Sequence, residues 1–244
     1  MPLPKKLKKD AILEAICELR FETDELDELV VGRLSENAPW ESFTRIRLPL
    51  SDFPAPLRKA DANLRYQPVV ELRDPNSPRL VKIGSNVISA HVMAPYCGWT
   101  EYRPHLHEVL NVLFRKFQVR LSRIGLRYIN AITPSDHHIG DIGSLTLQIK
   151  IDHERLQIPF TLAYVKEEGD INSVVKVASP KLVTGASLPP EFVALIDVDV
   201  STPDSFPIDD AQVAKDWLER AHTREKEEFF RLWPEQALRD ATEE

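Results

Sequence analysis

The sequence predicts an α+β protein: an antiparallel sheet with helices on one face, built as two similar tandem sheet-and-helix halves. Three observations carry this. Residues 11–21 alternate apolar and polar with period two. Many short strand-period segments follow, separated by Pro, Asp, Asn and Ser. Two long helix-period segments, around 100–117 and 210–233, each close one half.

Residues 1–10 hold Lys5, Lys6, Lys8 and Lys9 and read as a flexible basic tail. In Ala11–Phe21, Leu13, Ala15, Cys17, Leu19 and Phe21 form one phase; Glu14, Ile16, Glu18 and Arg20 form the other. Such a strand has one face on a core and one polar face. Asp24–Asn37 fits an amphipathic helix, with Leu26, Leu29, Val30 and Leu34 on one side and acids in its first turn. Strands are expected at Arg45–Leu50, Gln67–Arg73, Leu80–Ile83 and Val87–Val92, with a loop marked by Pro54 and Pro56.

From Gly98 to Ile132 a helical stripe (Leu106, Val109, Leu110, Leu113, Phe114, Phe117) passes into a strand, Arg123–Ile132, with no Gly/Pro break. Thr100 is the expected N-cap and Pro104 falls in the expected first turn. After a loop at Thr133–Gly143, strands are expected at Ser144–Ile151, Ile158–Lys166, Ser173–Ala178 and Phe192–Val200. The last helix, Asp210–Trp233, carries Val213, Trp217, Ala221, Phe229 and Leu232. The charged run Thr223–Glu228 interrupts that stripe, so part of the helix should stand in solvent.

Glu18-Leu19-Arg20-Phe21 resembles Gly125-Leu126-Arg127-Tyr128, and the His107/Phe114 pair resembles His222/Phe229. These matches place the halves at 11–120 and 121–244, packed as one unit.

Composition excludes more than it assigns. Eight glycines argue against phosphate-cradling loops, and a net charge of -7 disfavours nucleic acid as partner. Two cysteines make no disulfide framework. No signal peptide or continuous apolar span is present, so the expected compartment is the cytoplasm, with no membrane partner.

Candidate site residues lie in strand phase. Asp197 and Asp199 in LIDVDV point to one face. They could bind a divalent metal, or pair with Arg20 and Arg127 across neighbouring strands. With Glu18 these make an expected polar patch of Glu18, Arg20, Arg127, Asp197 and Asp199. Tyr96 and Trp99, beside Gly98, are interface candidates or packing residues. The nearest approach to a metal set is Asp136-His137-His138 with Asp141, although adjacent loop histidines seldom converge. His105 and His107 lie on different sides of a helix and cannot share a metal. No catalytic motif and no cofactor site stands out.

The motifs AILEAICELRF, PYCGWTEYRP, RIGLRYINAI and LIDVDV, in this order, resemble a sporadically distributed family of bacterial proteins of about 250 residues with no established activity. The resemblance runs from Ala11 to about Trp233 and implies a bacterial or phage-borne protein. A scattered distribution implies mobile genes, such as defence or toxin–antitoxin systems. The expected function is a non-catalytic protein-binding or assembly component, with a protein partner or self-association. The alternative is a metal-dependent hydrolase or nuclease using carboxylates on the open sheet face.

Overall fold

In the computed structural model of the chain, all residues are described except 1, 2, 5, 37, 157, 185–187, 205, 243 and 244, so Lys5 lies outside the described residues. The strands are β1 (Ile12–Glu22), β2 (Thr44–Arg47), β3 (Val70–Arg73), β4 (Arg79–Ile83), β5 (Val87–Met93), β6 (Arg120–Ile132), β7 (Lys150–Ile151), β8 (Glu154–Arg155), β9 (Thr161–Glu168), β10 (Ile171–Ala178) and β11 (Ala194–Ser201). The helices are α1 (Asp27–Ser35), α2 (Ala55–Ala60), α3 (Trp99–Lys116), α4 (Pro134–His137), α5 (Ala211–Arg231) and α6 (Glu235–Ala241).

Nine strands form one antiparallel sheet in the order β2-β3-β4-β5-β1-β6-β11-β10-β9; β7 and β8 make a separate hairpin. The α+β expectation is met. Ala15, Cys17, Leu19 and Phe21 of β1 are buried beneath the helices, together with Leu126 and Tyr128 of β6 and Val198 and Val200 of β11. Helices α1, α3 and α5 cover this face, as amphipathic stripes require. Trp217, Leu218 and Ala221 of α5 and Tyr102, Leu106 and Leu110 of α3 complete the core.

Strands from 11–120 make one side of the sheet and strands from 121–244 the other, meeting at β1–β6. Outward from that seam the order is β1, β5, β4, β3, β2 on one side and β6, β11, β10, β9 on the other. Glu18 pairs directly with Gly125. These are the first residues of the two matching tetrapeptides.

Several local expectations give way. Helix α3 starts one residue before Thr100: its N-cap is Gly98, whose φ of 86° suits glycine, and Pro104 lies inside the helix. Residues 144–151 do not extend the sheet. Leu145 is buried, while Thr146 bonds through its N–H and hydroxyl to the carbonyls of Leu232 and Arg231 at the end of α5. The alternation there reflects packing against a helix terminus. Within the Pro54/Pro56 loop, Pro54 precedes α2 and Pro56 sits in its first turn. The segment expected as a tail is docked from Leu7 onward: Leu7 is buried and bridges Thr242, and the Lys8 N–H bonds the Ala241 carbonyl. The charged run of α5 does not stand wholly in solvent, because Glu225 and Glu228 turn inward.

Among the described residues no helix is long and apolar enough to cross a membrane.

Candidate functional site

Two places collect polar side chains: the sheet face away from the helices, and a cavity on the helical side.

The sheet face holds all five residues of the expected patch. Arg127 donates two hydrogen bonds to Asp197, both 2.7 Å, a bidentate pair across β6 and β11. That pairing was expected. The partner of Asp199 is Arg123, at 3.0 and 3.2 Å, and the same guanidinium reaches Glu18 at 3.2 Å. Arg20 bonds Glu18 on its own strand at 2.8 Å and stacks over the Tyr66 ring, so it does not reach the aspartates. Arg123 is thus the central residue of the patch, and sequence reasoning missed it. Its position is set by Gly125, where a side chain would run into the Arg123 guanidinium. Arg123 lies four residues before Arg127 on the same face, with only Gly125 between them there, so the alternation in RIGLRY is the signal that could have found it. Farther along, His91 joins Ser89 and Glu14 at 2.8 and 2.7 Å. Every acid of the expected patch is already held by an arginine.

The loop histidines are not brought together with their carboxylates. His137 is buried edge-on against Trp233, with its Nδ1 accepting from the Thr133 N–H. His138 is exposed in the left-handed backbone region, and Asp141 bonds Ser144. Among the described residues, no group of three or more His, Cys, Asp or Glu side chains is placed to hold one metal ion.

The cavity has a volume of about 410 Å³ and lies among the β5–α3 loop, the end of β6, α5 and the N-terminal segment. Gly98 turns the loop so that Tyr96 and Trp99 both enter the wall. Trp99 stacks on His222 of α5, with ring centroids 4.1 Å apart and planes 9° apart. Its indole N–H donates to Glu219 at 3.1 Å, which also accepts from Arg103. Tyr96 meets Tyr128 edge to face at 5.7 Å, with their hydroxyls 3.1 Å apart. The two interface candidates are therefore cavity walls.

Glu225 of α5 also lines the cavity. It is 5% exposed, and among the described residues no hydrogen bond or ion pair reaches its carboxyl. Burial pushes its pKa up to about 8, with only the charge of neighbouring Lys226 opposing the shift. Burial likewise drives His222 down to about 4 and lowers Lys226. It raises the Tyr96, Tyr128 and Cys97 groups. At neutral pH Glu225 is mostly a neutral acid and His222 a neutral imidazole.

Sequence reasoning missed Glu225. Its signal is helical phase: 217, 221, 225 and 228 advance by four, four and three, so Glu225 continues the stripe begun by Trp217 and Ala221.

Two wider hollows, one lined by Glu22, Phe117 and Arg120 and one by Thr146, Phe230 and Trp233, hold no buried charged side chain. No protein-family model and no curated protein matches this chain.

Proposed function

We propose that this protein is a non-catalytic binding protein whose ligand site is the cavity beneath Tyr96 and Trp99. The observation that carries the reading is Glu225, a buried acid on the cavity wall that no other described side chain or backbone group satisfies. Its carboxyl opens onto the cavity and not onto a protein partner, so a ligand that bonds to it gains an interaction that the described residues leave unused. Aromatic walls with one convergent polar group are what a small organic ligand requires.

Binding fits the chemistry better than turnover. The Cys97 thiol is pushed away from its nucleophilic form, and burial works against both tyrosinates. His222 is spent in a ring stack and too weak a base at neutral pH. Glu225 alone has no nucleophile beside it to activate. For the hydrolase alternative, a divalent ion at Asp197 and Asp199 would have to displace Arg127 and Arg123.

The test is a fragment screen read by NMR at the Trp99 indole N–H and the His222 ring. Small aromatic fragments should shift these signals, saturate, and be recovered unchanged. Fragments that shift other sites only would overturn the reading.

A second reading is recognition of a protein partner by the uncovered sheet face. Arg127 supports it, since 40% of its side chain is exposed at the middle of that face. A partner captured by the wild-type protein and lost with Arg127→Glu would favour it. Equal capture by both proteins would count against it.

A further inference from the structure

We infer that the Glu225 cavity takes an organic cation, a ligand with one positively charged nitrogen on a small apolar body. This rests on the reading of the cavity as a ligand site and adds the class of ligand.

The buried carboxyl of the wall, Glu225, makes no ion pair among the described residues. Burying a cation beside it supplies the missing counter-charge and lets both charges share one desolvated site. The remaining wall includes five rings, Tyr96, Trp99, Tyr128, Phe229 and Phe230, beside the aliphatic Leu7, Ala11 and Ile12. Ring faces attract cations within about 6 Å and repel anions, most strongly where water is excluded. Charge around the opening is even. Asp10 and Glu101 balance Lys6 and Lys226 there, so the opening itself does not repel a cation. The volume, about 410 Å³, is that of a small organic molecule.

The inference fixes a pH dependence. Glu225 is faced by Tyr96 from the β5–α3 loop, Tyr128 from β6, and His222 and Lys226 from its own helix. Asp10 and Lys6 of the N-terminal segment and Glu101 of α3 complete the surroundings. Near neutral pH the carboxyl of the empty cavity is mostly protonated, and His222 is neutral. A cation binds the carboxylate form, so binding releases a proton. Affinity then rises about tenfold for each pH unit below about pH 8 and levels off above it. A neutral ligand that accepts a hydrogen bond from the carboxyl shows the opposite trend.

The experiment is calorimetric titration of the whole chain with choline and with 3,3-dimethylbutan-1-ol, its uncharged isostere, from about pH 6 to pH 9. Choline should bind at least about tenfold tighter than the alcohol at pH 8, with the stated pH slope. Proton release, read from two buffers of different ionisation enthalpy, needs no variant. Glu225→Gln, shown to be folded by its unfolding transition, should lose both the preference and the slope. Equal binding of the two probes, or a slope of opposite sign, overturns the cation inference and leaves the cavity a ligand site. Absence of choline binding while indole, a neutral aromatic probe, still binds has the same meaning. Failure of all three probes overturns both readings.

Discussion

Glu225 and Glu228 sit one turn apart on α5, both buried, with opposite electrostatic surroundings. Glu228 is 0% exposed and accepts from Lys166 at 2.8 Å, with Arg231 and Arg224 at 3.4 and 3.8 Å and the Tyr164 hydroxyl at 3.4 Å. Glu225 has the cavity instead. One acid is a structural anchor between α5 and β9; the other faces the cavity with no ion pair among the described residues.

Glu225→Gln tests the unpaired acid through stability. The folded carboxyl titrates near 8, above its ordinary range near 4.5, so the folded state holds the extra proton between those values. Stability is therefore fully present below about pH 4.5 and is lost as pH rises to about 8. Glutamine cannot ionise, so the variant should overtake the wild type increasingly across that window. The advantage at pH 9 should be roughly 3 to 5 kcal/mol, or about 10 °C in Tm. Thermal unfolding at several pH values measures it; parallel curves for the two proteins would contradict the assignment.

Glu228→Ala should behave in the opposite way. Removing it takes the carboxylate from Lys166 and Arg231, both more than a third exposed, while Arg224 keeps Glu168, so the loss should be about 2 kcal/mol. Urea unfolding near neutral pH gives the number. A loss under about 1 kcal/mol would mean that solvent screens the cluster.

On the sheet face, Arg123 should matter more than Arg20. It bridges Glu18 and Asp199 with only 17% of its side chain exposed, whereas Arg20 is 34% exposed and pairs once. Arg123→Ala should cost about 2 kcal/mol and Arg20→Ala less than about 1 kcal/mol. Gly125→Ala pushes directly on the Arg123 guanidinium, so its cost should shrink when Arg123 is already alanine. Additive losses in that double-mutant cycle would refute the coupling.

His105 and His222 should both stay neutral well into acid. Burial drives each to about 4, so the folded state binds fewer protons than the unfolded chain between about pH 6.5 and 4. Each contributes stability that is present above pH 6.5 and lost as pH falls toward 4. Ring-proton NMR titration should show these two midpoints near 4. A midpoint near 6.5 for His222 would mean that its stack on Trp99 is solvated.

The frame of the fold was legible because its signals are local. Alternation in 11–21 and 123–132 placed the central strands, and the stripes around 106–117 and 213–232 placed the two covering helices. The patch acids and Arg127 were legible for the same reason, since strand phase alone decides which side they face. What could not be read depended on contacts between distant segments. The engagement of Asp199 by Arg123 needs the β6–β11 register, and the extended chain at 144–151 takes its partners from the end of α5. Glu225 was hidden by its own chemistry: an acid inside a charged run reads as solvated, and only its phase with Trp217 and Ala221 says otherwise.

Glu225 is a buried acid without an ion pair, among the described residues, at the wall of the cavity. The most direct measurement is the pH titration of its carboxyl carbon by NMR in the ligand-free protein. The midpoint should lie near 8; a midpoint in the ordinary carboxylate range near 4.5 would contradict the account.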